Sequence, residues 1–194
     1  ADMERYRAQG IILGALITGK PADKYGRKNV LFAIDILYII GSFGSALAPN
    51  YATLIIARFL GGIGVGASSV CAPIYTAEVS PAKVRGRLVG LVQFNIVAGI
   101  LLAYLSNYVI RILVHDPVGG EPVAWRWMLG VMAVPSILFV LMLFTVPETP
   151  RWLMAVGREK EAIAVSRKLC MTEEESDFQI REIKEALAAD ACMK

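Results

Sequence analysis

Two long runs without a charged residue constrain this chain more than any other feature of its sequence. Leu88–Ile110 contains 23 residues and Trp127–Val146 contains 20, and neither run holds an Asp, Glu, Lys or Arg. A helix of roughly 20 apolar residues crosses the hydrocarbon core of a bilayer, because each residue adds about 1.5 Å. Two such runs in a chain of 194 residues are hard to explain as the core of a soluble domain. The sequence therefore predicts an all-α integral membrane protein.

Composition and single residues exclude several other classes of protein. Hydrophobic residues make up 56% of the chain and charged residues only 19%, whereas a soluble domain has about 25% charged residues. The net charge of +3 is too small to suggest a nucleic-acid partner. Cys71, Cys170 and Cys192 lack the spacing of a metal site, and His115 cannot form one alone. With no nucleophile–base pair and no phosphate-binding loop, we expect no enzyme activity, no metal and no cofactor.

Three more apolar segments precede the two uncharged runs. Val30–Ala48 carries one charge, and Tyr51–Val79 carries two. Ala8–Gly19 is too short to span a bilayer, since 12 helical residues cover only about 18 Å. Charged residues stand just upstream of that segment, namely Glu4, Arg5 and Arg7. We expect either that the sequence begins inside a helix or that this helix is damaged.

The character of the chain changes after Pro150. Arg158–Leu169 and Glu173–Ala189 are charged, periodic and rich in helix-favouring residues, which is typical of amphipathic helices at a membrane surface. The sequence thus predicts two regions. Residues 1–150 hold about five apolar membrane segments, and residues 151–194 hold amphipathic helices at the membrane surface.

Basic residues alternate from one connection to the next. They concentrate in three places: the connection after the first segment (Lys20, Lys24, Arg27, Lys28), the connection before the first uncharged run (Lys83, Arg85, Arg87), and the start of the tail (Arg151, Arg158, Lys160). The intervening connections hold almost none. By the positive-inside rule, the three basic regions face the cytoplasm of a cell-membrane protein.

Arg58 is an unusual residue, because it lies seven residues into an apolar segment. An arginine at membrane depth is costly, so it either faces the bundle interior or extends its side chain to the outer interface. Gly61, Gly62, Gly64 and Gly66 follow it, and glycines at this density allow close helix packing.

Other polar residues stand at membrane depth or at the ends of segments. Gln93 either hydrogen-bonds a sugar hydroxyl or bonds a neighbouring helix, and its position favours neither role. Acid–base pairs at the cytoplasmic ends (Asp23 with Arg27, Glu78 with Arg85, Glu148 with Arg151) are either weak surface pairs or a network that holds the inner ends of helices together.

Several strings resemble those of one transporter family. GKPADKYGRK resembles the signature loop of the major facilitator superfamily, and RFLGGIGVG, PIYTAEVSPAKVRGR, QFNIVAGILLAYLSNY, WRWMLG and VPETPRWL resemble the sugar porters within it. Their order along nearly the whole chain is also similar, and the resemblance is greatest to bacterial D-xylose–proton symporters. It implies that residues 1–150 form a partial six-helix major-facilitator bundle and that residues 151–194 form an intracellular helical domain. It also implies transport of a monosaccharide, with protons, a lipid bilayer and the missing second half of the transporter as partners.

The resemblance also implies roles for individual residues. It places Gln93, Ile96 and Ile100 in the substrate pocket, and it pairs Arg58 with a first-helix aspartate that lies upstream of Ala1. It assigns a cytoplasmic gating network to six residues: Asp23, Arg27, Glu78, Arg85, Glu148 and Arg151. Arg5, Arg7, Pro21, Thr149 and Asp35 depart from the family pattern.

The sequence predicts proton-coupled symport of a pentose or hexose by alternating access. A facilitative uniporter is the alternative. A transporter-like sugar receptor and an inactive truncated fragment belong to other classes and also fit the sequence.

Overall fold

The computed structural model describes residues 2–80, 84–114, 123–170 and 172–192, and the regular elements within them are α-helices. In chain order they are α1 (Asp2–Ile17), α2 (Gly19–Tyr25), α3 (Arg27–Ala46), α4 (Tyr51–Val79), α5 (Arg85–Leu113), α6 (Ala124–Gly130), α7 (Ala133–Thr145), α8 (Pro150–Ala155), α9 (Glu159–Leu169) and α10 (Glu173–Cys192). The predicted all-α class is therefore confirmed.

Four stretches are long and apolar enough to cross a membrane: Arg27–Ala46, Tyr51–Val79, Gly86–Leu113 and Ala124–Thr145. They correspond to four of the five predicted apolar segments. The last stretch is divided between α6 and α7, which the sequence analysis did not predict. Pro135 has no N–H to donate to the carbonyl of Val131, and the amide of Val134 bonds that carbonyl instead, at 3.1 Å.

The first predicted segment differs most from its expected bounds. Instead of starting near Ala8, α1 starts at Asp2 and includes Glu4 and Arg7, whose side chains pair at 3.6 Å. Its 16 residues cover about 24 Å, which is less than the thickness of the hydrocarbon core. The connection that follows also differs from expectation, because it contains the short helix α2. Gly26 ends α2 with a φ of +94°, a conformation that favours glycine.

Glycines allow α1 and α4 to pack closely along their lengths. An added Cβ at Gly10 or Gly14 of α1 would meet the backbone of α4, and one at Gly62 or Gly66 of α4 would meet the backbone of α1. Each pair has the four-residue spacing of small residues at membrane helix interfaces. A Cβ added at Gly62 would lie 2.6 Å from the carbonyl oxygen of Arg7. These glycines therefore serve packing.

Two separate hydrophobic clusters organise the rest of the chain. The larger lies among α2, α3, α4 and α7 and is formed by Ala22, Val30, Leu31, Ile34, Ala67, Cys71 and Leu143. The smaller is formed by Leu153, Ala162 and Ile180, one each from α8, α9 and α10. The helices after residue 150 thus pack on a core of their own.

Candidate transport site

The start of α3 and the end of α4 lie at the same end of the bundle, and a buried ion pair joins them. Nε of Arg27 lies 3.1 Å from Oε2 of Glu78, and the two side chains are only 11% and 10% exposed. The Arg27 guanidinium also pairs with the exposed Asp23 carboxylate at 2.8 Å and donates to the carbonyl of Ala22 at 2.9 Å. Two acids and a carbonyl oxygen thus hold one arginine between helices.

Glu148 contacts the same region from the connection between α7 and α8. Its Oε1 accepts a hydrogen bond from the backbone amide of Lys28 at 3.0 Å and another from the amide of Thr149 at 3.2 Å. The indole of Trp152 donates to the carbonyl of Asp23 at 3.0 Å. We call Asp23, Arg27, Glu78 and Glu148 the Arg27 cluster. It connects α2, α3, α4 and α8 at one end of the molecule.

The pairing within this cluster differs in part from the spacing-based prediction. Asp23 does meet Arg27, but Glu78 also pairs with Arg27, from 51 residues away. The side chain of Arg85, the predicted partner of Glu78, lies outside the described part of the structure. Arg151 lines a cavity of about 170 Å³ together with Glu78 and Glu182. The structure thus places Arg151 beside the cluster.

Two contacts near the cluster were not predicted. The hydroxyl of Tyr75 in α4 donates to the carbonyl of Pro147 at 2.8 Å, and the thiol of Cys71 lies 3.7 Å from the carbonyl of Arg27. Both partners are backbone groups distant in sequence. The run VPETP before α8 is a turn signal, but it carries no information about where its carbonyl groups point.

Arg58 is half-buried and points toward the bundle. It lines a small cavity of about 40 Å³ together with Arg7, Tyr38 and Met132. Its Nε is buried and has no hydrogen-bond partner among the described residues.

Gln93, Ile96 and Ile100 lie on α5 and are exposed. Their spacing of three and four residues puts them on one face of the helix. The structure thus gives these three residues a shared exposed face of α5.

A larger groove runs along the neighbouring face of α5. It has a volume of about 860 Å³ and is bounded by α3, α4, α5, α6 and α7. Most of its surface is apolar, with Asp35, Tyr38, Asn95 and Ser136 among its polar residues. Gln93, Ile96 and Ile100 do not line it.

Comparison with known proteins identifies the family of this chain. The model of the family "Sugar (and other) transporter" matches residues 8–194. The probable inositol transporter 2 of Arabidopsis thaliana is 40% identical over 181 residues, covering 93% of this chain and 30% of that protein. The galactose-proton symporter of Escherichia coli (strain K12) is 40% identical over 178 residues, covering 92% of this chain and 36% of that protein.

Solved structures agree with these matches. The xylose transporter XylE from Escherichia coli, in a partially occluded inward-open conformation, is similar with a TM-score of 0.88 and 33% identity. The match covers 95% of this chain and 47% of XylE, so the chain spans less than half the length of these relatives. Because the family match extends over nearly every residue, the chain belongs to the sugar transporter family of the major facilitator superfamily and is a multi-pass integral membrane protein.

Proposed function

We propose that the complete protein carries a pentose or hexose across a cell membrane by alternating access, in symport with protons. The observation that carries this proposal is the family match over residues 8–194. Two relatives support the coupling to protons: one is a galactose-proton symporter and another is a proton:xylose symporter. Since these relatives are more than twice as long as the chain, we propose that a second helical bundle completes the transport path.

The exposed face of α5 supports a role in sugar binding. Gln93 offers two amide donors and one acceptor on the exposed face of a helix that has no charged residue between Leu88 and Ile110. Ile96 and Ile100 follow Gln93 on the same face of α5 and provide an apolar surface. In our proposal, Gln93 hydrogen-bonds a sugar hydroxyl while the two isoleucines pack against the ring.

The buried position of Arg58 supports a role in proton coupling. Its unpaired Nε can bind an acidic group that lies outside the described residues. Tyr38 and Met132 border both the Arg58 cavity and the large groove. An acidic side chain that packs beside α4 can therefore reach the Arg58 guanidinium. A proton bound to that side chain would weaken its attraction to Arg58.

The Arg27 cluster supports a role in gating. It holds α3, α4 and the start of α8 together at the end of the bundle that the basic residues assign to the cytoplasm. Alternating access requires contacts at that end to open and close during each cycle. We propose that the cluster, with Arg85 and Arg151, is formed when the cytoplasmic side is closed, and that residues 151–194 are an intracellular helical domain.

Transport by the complete protein in proteoliposomes tests this proposal. We expect labelled D-xylose, D-galactose or D-glucose to accumulate inside the vesicles when the outside is more acidic, and to reach no more than equal concentrations on both sides when the proton gradient is collapsed. Uptake that does not depend on the proton gradient would indicate a facilitative uniporter. Binding without uptake would indicate a sugar receptor. If the protein neither binds nor takes up any of these compounds, the proposal is contradicted.

A further inference from the structure

Asp35 is a buried acid that the sugar and gating sites do not use. It is the ninth residue of α3, so it lies about 12 Å along a helix that crosses the membrane. Its side chain borders the large groove, although the residue is only 7% exposed. The depth of Asp35 sets it apart from the acids of the Arg27 cluster, which lie at the end of the bundle.

Two features describe the surroundings of the Asp35 carboxylate. The hydroxyl of Ser136, which extends from α7 and is itself 7% exposed, lies beside the carboxylate. Oδ2 is buried and has no hydrogen-bond partner among the described residues. A buried oxygen without a donor is rare and needs a physical explanation, and a proton bound to that oxygen provides one.

No described residue that lines the groove supplies a positive charge to Asp35. From α4 the groove is lined by Gly64, Ser68 and Ala72, and from α5 by Asn95, Gly99, Leu102, Ala103, Ser106 and Asn107. The lining residues of α6 and α7 are also uncharged, and the phenol of Tyr38 is the other titratable group in the wall. Cations on the packed helices have other neighbours: Arg58 lines the separate small cavity, Arg126 lies over the Trp125 ring, Lys28 lies over the Phe32 ring, and Arg27 is held by Glu78.

We propose that Asp35 is a proton-binding site inside the membrane. A carboxylate at this depth without a counter-charge is costly, and a proton removes the charge. Protonation forms an O–H bond at Oδ2 and leaves the interaction with Ser136 in place. The groove gives the proton a route to and from Oδ2, and its release regenerates the carboxylate. The transport consequence of this site rests on the symport proposed above, whereas proton binding itself does not.

Infrared spectroscopy of the complete protein tests proton binding without any transport. Spectra of purified protein are compared before and after a change of pH for the wild type, Asp35→Asn and Asp177→Asn. Asp177 is an exposed acid on α10 and serves as the matched control. We expect a band of a neutral carboxyl group that titrates in the wild type and in Asp177→Asn and is missing from Asp35→Asn. An unchanged set of carboxyl bands in Asp35→Asn would overturn the proposal.

A transport assay then examines the consequence for coupling. Asn has the shape of a neutral Asp, so Asp35→Asn should fold and exchange sugar while its proton-driven accumulation falls at least tenfold. If Asp35→Asn does not fold, Asp35→Glu keeps a titratable carboxyl group and should shift the infrared band without abolishing it. Full accumulation by folded Asp35→Asn would overturn the coupling role. If the wild type moves no sugar, the symport proposal fails, and the infrared band still decides whether Asp35 binds a proton.

Discussion

The backbone amide of Lys28 donates a hydrogen bond of 3.0 Å to Oε1 of Glu148, which lies 120 residues later in the chain. Lys28 is in the first turn of α3, where backbone amides have no acceptor within their own helix. A carboxylate at this position also interacts favourably with the positive end of the helix dipole. Glu148 thus caps a remote helix and attaches the connection between α7 and α8 to α3.

Gly26 makes room for this cap, which leads to a prediction for Gly26→Ala. An added Cβ would meet Oε2 of Glu148 at 2.6 Å, in a residue whose φ is +94°. Gly157→Ala is the matched control, because Gly157 has a φ of +81° but no atom within 4 Å of an added Cβ. We expect Gly157→Ala to cost about 1–2 kcal/mol for the backbone conformation alone, and Gly26→Ala to cost at least about 1 kcal/mol more. Equal losses in thermal unfolding would show that the contact with Glu148 does not matter.

The buried ion pair predicts a large effect for Glu78→Gln. Removing the Glu78 charge leaves the buried Arg27 with the exposed Asp23 as its acidic partner, and we expect a loss of about 3 kcal/mol in the free energy of unfolding. Glu161→Gln is the control, since the Arg158–Glu161 pair is half-exposed and should contribute less than about 1 kcal/mol. Denaturation of the two variants in detergent measures the difference. Similar stabilities would mean that the Arg27–Glu78 pair is no stronger than a surface pair.

The close approach of α1 and α4 predicts that Gly62→Ala is destabilising. The new methyl group would meet the carbonyl oxygen of Arg7 at 2.6 Å, and a backbone atom cannot move aside without displacing its helix. We expect a loss of about 1–3 kcal/mol, as for other overpacked sites. Gly19→Ala, where no atom lies within 4 Å, should leave the melting temperature nearly unchanged. A stable Gly62→Ala variant would place α1 farther from α4 than the structure does.

The proposed sugar contact predicts weaker binding for Gln93→Ala in the complete protein. Loss of one hydrogen bond and an unpaired hydroxyl should cost about 1–3 kcal/mol, or roughly 5- to 150-fold in affinity. Asn95→Ala is the control, because Asn95 is an amide on the groove side of the same helix. Binding of labelled sugar to the purified variants measures both. Unchanged affinity in a folded Gln93→Ala variant would identify Gln93 as a helix-packing amide.

The proposed coupling role predicts a selective defect for Arg58→Leu. Without the guanidinium, an acid that pairs with it loses the group that favours its charged form, and proton release during the cycle should fail. We expect proton-driven accumulation to be lost while sugar exchange persists in proteoliposomes. Arg5→Leu, on the exposed side of α1, should retain accumulation. Intact accumulation in Arg58→Leu would assign Arg58 a structural role.

The sequence by itself determined the membrane class, four of the spans and the family. These depend on local properties: an uncharged run of 20 residues already specifies a spanning helix, and Tyr51–Val79 was predicted with the bounds that α4 has. Helical periodicity likewise predicts that Gln93, Ile96 and Ile100 share a face, because residues three and four apart always do.

Only the tertiary structure decided which polar groups meet. Spacing favours partners within a turn or two, so it did not predict that α3 and α4 bring Glu78 to Arg27 across 51 residues. The sequence also did not predict the hydrogen bond from the amide of Lys28 to Glu148 or the buried, unpartnered oxygen of Asp35. From the sequence, Asp35 was only an unexpected charge in an apolar segment. The physical reason is that residue type alone does not show which partner a backbone donor or a side-chain oxygen will have. Their partners depend on how separate helices are packed.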